Sequence, residues 1–366
     1  MSNILYIGPY REFSSEGNIA RNYIRSLVRS KHNLTIKPIY NILKSFPESE
    51  MEKDILPLEN NNQEKYHTII QHCYPHHFCF DRRFDQHIGI PIIESKTPHN
   101  SICNFLDTPD KMIAPSKYVK DCLGHFHDKV SIIPVPIDIE SINHNLEKYS
   151  LEKRSDNFKF YVVADFVDRS NIKKIVECFR IACNDTDADL IIKTKNYCNE
   201  NEDLYQVIEY ELDKIDNTLM SYSAKPKIIV GEVGNEAMNY LHRNNDCLID
   251  LGSGKRFGYS TLQGLAFNSS VITISDSAQS EIIANTDNFV IDSELVNCED
   301  DNKTYDFYNT VFDKWLIPTK ISLIYAMKSA MFEDRIHKKA RHIKAKDKLK
   351  TYDINHITNV WNKYDL

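Results

Sequence analysis

The segment "DLGSGKRFGYSTLQG", Asp250 to Gly264, follows an apolar run of strand length and leads into a helical pattern. Its glycines leave backbone amides open to close approach. Lys255 and Arg256 bring two cations, and a helix opening near Tyr259 aims free N–H groups and the positive end of its dipole at the same turn. Residue types so spaced bind an anion of the phosphate kind. Phe257, Gly258, Tyr259 and Ser260 complete the turn, and Gln263 offers an amide oxygen to a hydroxyl without adding net charge. The blander alternative is two solvated cations on a connecting turn. Arg169 in "VDRSN" and Lys193 at the end of "LIIKT" are further cations at strand ends, where exposed basic residues are also common. Gly17 and Asn18 lie in the loop "SSEGN", where a backbone without a side chain can approach a ligand or simply turn. In "QHCYPHH", His72 and His76 follow another apolar run; no carboxylate or cysteine completes a metal-ligand spacing, so contact with a bound substrate or solvent is their reading.

These residues need a scaffold, and the chain alternates strand-length apolar runs with helical patterns. "NILYIG", "LTIKPIY", "HTIIQH", "IPIIES", "KMIAPS" and "VSIIPV" are strands; "NIARNYIRSLVRS" is an amphipathic helix, and Ser116 is placed to cap the helix "KYVKDCL". Near "PVPIDIESINHNLEKYSLEKRSDN" the rhythm is lost, which marks a linker. It restarts with "FKFYVVADF" and runs through "DCLIDLG", "STLQGLAF" and "SVITIS", predicting a second parallel sheet covered on both faces. The fold class is therefore α/β, with two Rossmann-like doubly wound domains facing a central cleft. The first spans 1–140, the second 157–340, and a basic helical tail, 341–366, is expected to pack back on the first domain.

A hydrophobic content of 42% supports packed cores, and a chain of 366 residues is long enough for two. The net charge of −7 argues against a nucleic-acid partner. No segment reads as a secretory leader or a membrane span, and the cysteines form no C-x-x-C pair, so they read as reduced core residues of a cytoplasmic protein. The asparagine- and isoleucine-rich composition fits an AT-rich genome, such as that of a phage or large virus.

In order along the chain, "ILYIGPYREFSSEGNIARNYIRSL", "DKMIAPSKYVKDCL", "VSIIPVPID", "FKFYVVADFVDRSNIKKIVECFRIA" and "CLIDLGSGKRFGYSTLQGLAFNSSVITISDSAQSEII" resemble the successive segments of a GT-B glycosyltransferase, close to retaining family four. The resemblance implies an N-terminal acceptor domain, a C-terminal donor domain and a nucleotide-sugar donor carrying UDP or GDP. It also implies transfer to a glycan or other small acceptor with retention, without a catalytic metal or other cofactor. On that basis Gly17, Asn18, Arg169, Lys193, Arg256, Phe257, Gly258, Tyr259, Ser260 and Gln263 are donor contacts, Glu94 and Lys255 catalytic, and His72 and His76 acceptor contacts. The family's diphosphate-binding arginine and lysine fall on Asp165 and Ser170, and its two glutamates on Lys255 and Gln263. Either the site is rearranged, with Arg169, Lys255 and Arg256 restoring the positive charge, or catalysis is lost and the fold serves as a binding or scaffolding module. A third alternative is modification of viral DNA or glycans.

Overall fold

The computed structural model describes residues 2–12, 14–39, 54–97, 100–148, 157–184, 186–195, 203–219, 225–255, 257–298 and 314–366. Residues 1–139 together with 350–366 form one compact unit, and residues 140–349 form the second.

The first unit runs β1 (Asn3–Gly8), α1 (Ser15–Val28), β2 (Asn33–Pro38), β3 (Thr68–Cys73), β4 (Gln86–Pro91), α2 (Asn100–Cys103), β5 (Lys111–Ala114), α3 (Lys117–Cys122) and β6 (Val130–Ile132). Its six strands are parallel in the order β2-β1-β3-β4-β5-β6. Every residue of β3 is buried, as expected of a central parallel strand covered on both faces. Ile19, Tyr23, Ile24 and Leu27 recur at helical spacing and bury one face of α1. Ser116 caps α3, its Oγ accepting from Val119 N at 3.2 Å.

The second unit contributes α4 (Ile139–Lys148), β7 (Lys159–Val163), α5 (Ile172–Ala182), β8 (Asp189–Thr194), α6 (Leu204–Leu219), β9 (Lys227–Val230), α7 (Asn235–Asn244), β10 (Cys247–Asp250), α8 (Tyr259–Ala266), β11 (Ser270–Ile274), α9 (Ala278–Ile283), β12 (Phe289–Ile291), β13 (Ser293–Asn297), β14 (Lys314–Pro318), α10 (Lys320–Phe332) and α11 (Arg335–Leu349). Its parallel sheet has the order β12-β11-β10-β7-β8-β9, and β13 pairs with β14 as a separate antiparallel ribbon. The segment read as an irregular linker holds the ten-residue helix α4.

The chain returns to the first unit after α11. α12 (Ile354–Lys363) lies along α1; the fully buried Trp361 donates from Nε1 to Ser26 Oγ at 2.9 Å and meets the Tyr23 ring edge-on. Ile354 N donates to Ile137 O, and Ile137 N to Tyr352 O. Residues 341–349 do not belong to this tail. They complete α11, whose buried face carries Arg341, Ala345 and Leu349, and Arg341 donates to Glu333 and, at 2.8 Å, to Ser270 Oγ inside the second unit. A basic run with residues buried at every fourth position packs as a helix face, which its charge alone concealed.

Candidate functional site

A doubly wound sheet opens a crevice where consecutive connections leave in opposite directions. In the second unit that point lies between β7 and β10: β7 leads through α5 to β8 on one side, β10 through α8 to β11 on the other. The two loops are tied across the gap. Ser253 N donates to Arg169 O at 2.8 Å, and Asn171 Nδ2 donates to Leu251 O at 2.8 Å. Asn171 holds a left-handed backbone at φ 57°, a conformation that Asn tolerates better than most residues. The β13–β14 ribbon abuts the crevice, where Ser253 Oγ donates to Leu316 O at 2.5 Å. Between ribbon and loops lies a pocket of about 330 Å³ lined by Asp168, Arg169, Ser253, Val296, Asn297, Trp315 and Ile317.

The glycine turn borders this crevice. Gly254 has φ +69°, which favours glycine there. At Gly252 a Cβ would stand 2.3 Å from Lys255 Cε, so the missing side chain lets the lysine stem fold over the backbone. Lys255 Nζ thereby reaches Asp250 Oδ1 at 2.5 Å. Asp250 is 4% exposed, and its other oxygen accepts from Thr261 Oγ1 at 2.8 Å. Lys255 is therefore not the free cation expected from sequence: a buried carboxylate at the end of β10 already compensates its charge. Arg256 lies outside the described residues.

α8 starts at Tyr259 with Gly258 at its N-cap, which supplies no side-chain cap. By contrast α1, α3 and α9 are capped by the hydroxyls of Ser14, Ser116 and Ser277. Tyr259 and Ser260 are half-buried in the first turn of α8. Gly258 is needed for closeness, since a Cβ there would meet Gln279 Cγ at 2.7 Å. Gln279 is fully buried and donates from Nε2 to Gly252 O at 3.0 Å, leaving its Oε1 without a partner among the described residues.

Several expected donor contacts are used elsewhere. Phe257 is 5% exposed and belongs to the core, because an aromatic ring at this turn gains more by burial than by facing water. Gln263 lies near the buried His242 of α7, whose pKa burial lowers to about 4 with a smaller opposing effect from Gln263. Lys193 ends β8, on the far side of β7 from β10, and is not among the pocket-lining residues; burial first and Lys195 second lower its pKa. Gly17 and Asn18 serve the first unit's own loop. A Cβ on Gly17 would stand 2.1 Å from Glu12 O, and Asn18 Oδ1 accepts from Arg21 Nη2 at 2.6 Å while the same guanidinium holds Tyr10 O and Glu12 O.

His72 is likewise an interior group. It is fully buried in β3, hydrogen-bonded through Nδ1 to Tyr6 Oη at 2.6 Å, and burial lowers its pKa to about 3. Because β3 is central, the residue near its end is covered before it reaches solvent. His76 and Glu94 do come together, through Tyr74. The Tyr74 and His76 rings stack at 5.9 Å, and Tyr74 Oη donates to Glu94 Oε2 at 3.4 Å. Among the described residues no group of three His, Cys, Asp or Glu side chains is placed to hold a metal ion.

Asp250, Ser253, Gln279 and Trp315 were not singled out by sequence. Asp250, a carboxylate ending an apolar strand just before a glycine turn, carried a usable signal; Gln279 and Trp315 lie far along the chain and carried none.

No protein-family model matches the chain, and neither does any curated protein sequence. Solved structures do match over nearly the whole length. The α,α-trehalose 6-phosphate synthase of Burkholderia multivorans superposes with TM-score 0.69 at 9% identity, covering 99% of this chain and 97% of that one. The synthase of Burkholderia xenovorans in complex with glucose-6-phosphate gives 0.68 at 9% identity, covering 99% of each chain. An Escherichia coli structure described as trehalose-6-phosphate bound with UDP-2-fluoro glucose gives 0.65 at 10% identity, covering 99% and 98%. At such identities the likeness is one of fold, and with two six-stranded doubly wound units the chain has the GT-B fold of glycosyltransferases.

Proposed function

We propose that the chain transfers a sugar from a UDP- or GDP-sugar to a small hydroxyl acceptor, the donor diphosphate resting where α8 opens onto the glycine turn. One observation carries this reading: α5 and α8, the helices that follow the two loops of the switch point, both start without a side-chain cap, whereas α1, α3 and α9 are each capped by a serine hydroxyl. An uncapped N-terminus favours an anion by about 0.3–1 kcal/mol, and a charge-assisted hydrogen bond adds about 1.5–3 kcal/mol. As the glycosidic bond breaks, negative charge grows on the departing diphosphate, and fixed amides aimed there lower the barrier without reorganising. Lys255 joins by turning from Asp250 to the phosphate, and Arg169 lies on the neighbouring loop. Glu94 and His76, joined by Tyr74, are the acceptor-side groups of the first unit. The solved neighbours support the donor and acceptor classes, since their descriptions include UDP-2-fluoro glucose and glucose-6-phosphate. Retention rests on the family resemblance.

The Lys255–Asp250 pair, with Asp165 and Ser170 at the family's cationic positions, favours a second reading: a GT-B module that binds a nucleotide or glycan without transfer. The deciding experiment presents UDP-, GDP- and ADP-sugars, and follows binding by calorimetry and donor cleavage by nucleoside diphosphate release. Binding with cleavage supports the transferase, binding without cleavage a nucleotide-binding module, and neither across the panel removes the transferase and leaves only a module that binds a glycan.

A further inference from the structure

α10 is apolar on two faces. Leu323, Ala326, Met327 and Ala330 are buried on its inner side, where the helix packs on α5 and on the β11–β12 edge of the sheet. Ile321, Tyr325 and Phe332, spaced by four and seven residues, form an outer stripe and are 71%, 68% and 71% exposed. Ile336, four residues beyond Phe332 in the first turn of α11, is 80% exposed. Isolated exposed apolar residues are ordinary, but three on one stripe of α10, with a fourth just past the break at Glu333 where the backbone turns extended, mark a contact surface.

The charge around the row has one sign. Lys328, within the stripe, and Arg335 and Lys339, beside Ile336, are exposed and have no carboxylate partner among the described residues. The acids of the same stretch are occupied: Glu333 pairs with Arg341, and Asp334 with His337 at 2.5 Å. At physiological ionic strength charges beyond about 8 Å are largely screened, so these local cations govern the contact rather than the net charge of −7.

We propose that the α10–α11 corner docks on an anionic lipid surface, with Ile321, Tyr325, Phe332 and Ile336 entering the headgroup region and Lys328, Arg335 and Lys339 meeting the phosphates. Exposed apolar side chains beside unpaired basic ones suit a surface that takes the first into its headgroup layer and pairs the second with lipid phosphates. Four exposed side chains cover less than the roughly 800 Å² per partner of a stable protein interface, which disfavours a second copy as occupant. The helix lies on the surface, since no described helix is long and apolar enough to cross a membrane.

The test is flotation of the full chain with phosphatidylcholine vesicles and with the same vesicles containing phosphatidylglycerol. The parent is expected to float with the anionic vesicles at least about ten-fold better than with the zwitterionic ones, and to be released by salt. Phe332→Ser/Ile336→Ser and, separately, Lys328→Glu/Lys339→Glu are each expected to lose that binding about ten-fold with unchanged urea midpoints, because all four positions are exposed. If the apolar pair disturbs folding, the charge pair alone decides. Absence of binding to anionic vesicles, or equal binding by folded variants, overturns the proposal. So does a dimer seen by light scattering that Phe332→Ser/Ile336→Ser dissociates, which would identify a second copy as the occupant.

Discussion

Replacing Lys255 by alanine separates a structural ion pair from a ligand-binding cation. The lysine side chain is 28% exposed and Asp250 2%, with the charged atoms 2.5 Å apart. Removing one partner of a fully buried pair costs about 3–5 kcal/mol; here water reaches the lysine end and Thr261 still donates to Asp250, so about 2–3 kcal/mol is expected. The two tryptophans divide between the units, Trp315 in the second and Trp361 in the first, so fluorescence in a Trp361→Phe background follows unfolding of the second unit alone. Urea denaturation of Lys255→Ala should show the loss, and Asp250→Asn in the same protein should recover part of it, because the amide removes the uncompensated buried charge. Titration with UDP and GDP reads the second role. Loss of a charge-assisted hydrogen bond of about 1.5–3 kcal/mol weakens binding about ten- to 150-fold. Reduced stability with parental nucleotide affinity would confine Lys255 to the ion pair. If Lys255→Ala matches the parent in both measurements, the pair contributes nothing and the reasoning is wrong.

Three further outcomes follow from the geometry. His72 and His242 have pKa values lowered by burial, to about 3 and about 4, so their neutral forms are held in the fold. The unfolded chain binds their protons first as pH falls below about 6.5, and stability present above that value is lost on acidification, about 2 kcal/mol per histidine from pH 7 to about pH 5. Urea midpoints across that range should fall, and the slope should shrink in His242→Gln; a flat profile would contradict the burial. Gly17→Ala places a Cβ 2.1 Å from Glu12 O and should destabilise the first unit by about 1–3 kcal/mol, measured by urea denaturation with Trp361 as the probe. Trp361→Ala empties the contact with Tyr23 and Ser26 and should cost about 3–5 kcal/mol, with faster amide exchange in α12; unchanged exchange there would mean that the tail is held by other contacts.

Much of this molecule is legible along the chain because it is set by interactions between residues close in sequence. Ile19, Tyr23 and Leu27 define a helix face by spacing alone, Ser116 caps α3 three residues ahead of the amide it holds, and the helix after the glycine turn begins at Tyr259, as its pattern indicates. Strands alternating with helices imply two parallel sheets, and a switch point follows once the strand order is known. Which side chains face that point is a different matter. Lys255 and Asp250 are only five residues apart, yet their pairing depends on Thr261 and on a bare Gly252 that lets the lysine fold back. Gln263 comes near the buried His242 of another helix, and His72 is lost to the interior because β3 is central in the sheet order. The β13–β14 ribbon at the crevice and the return of Trp361 to Ser26, 335 residues away, are pairings between distant segments. Local spacing determines the elements and their capped ends; burial, pairing and access depend on which elements the tertiary fold brings together, and no short-range pattern records that.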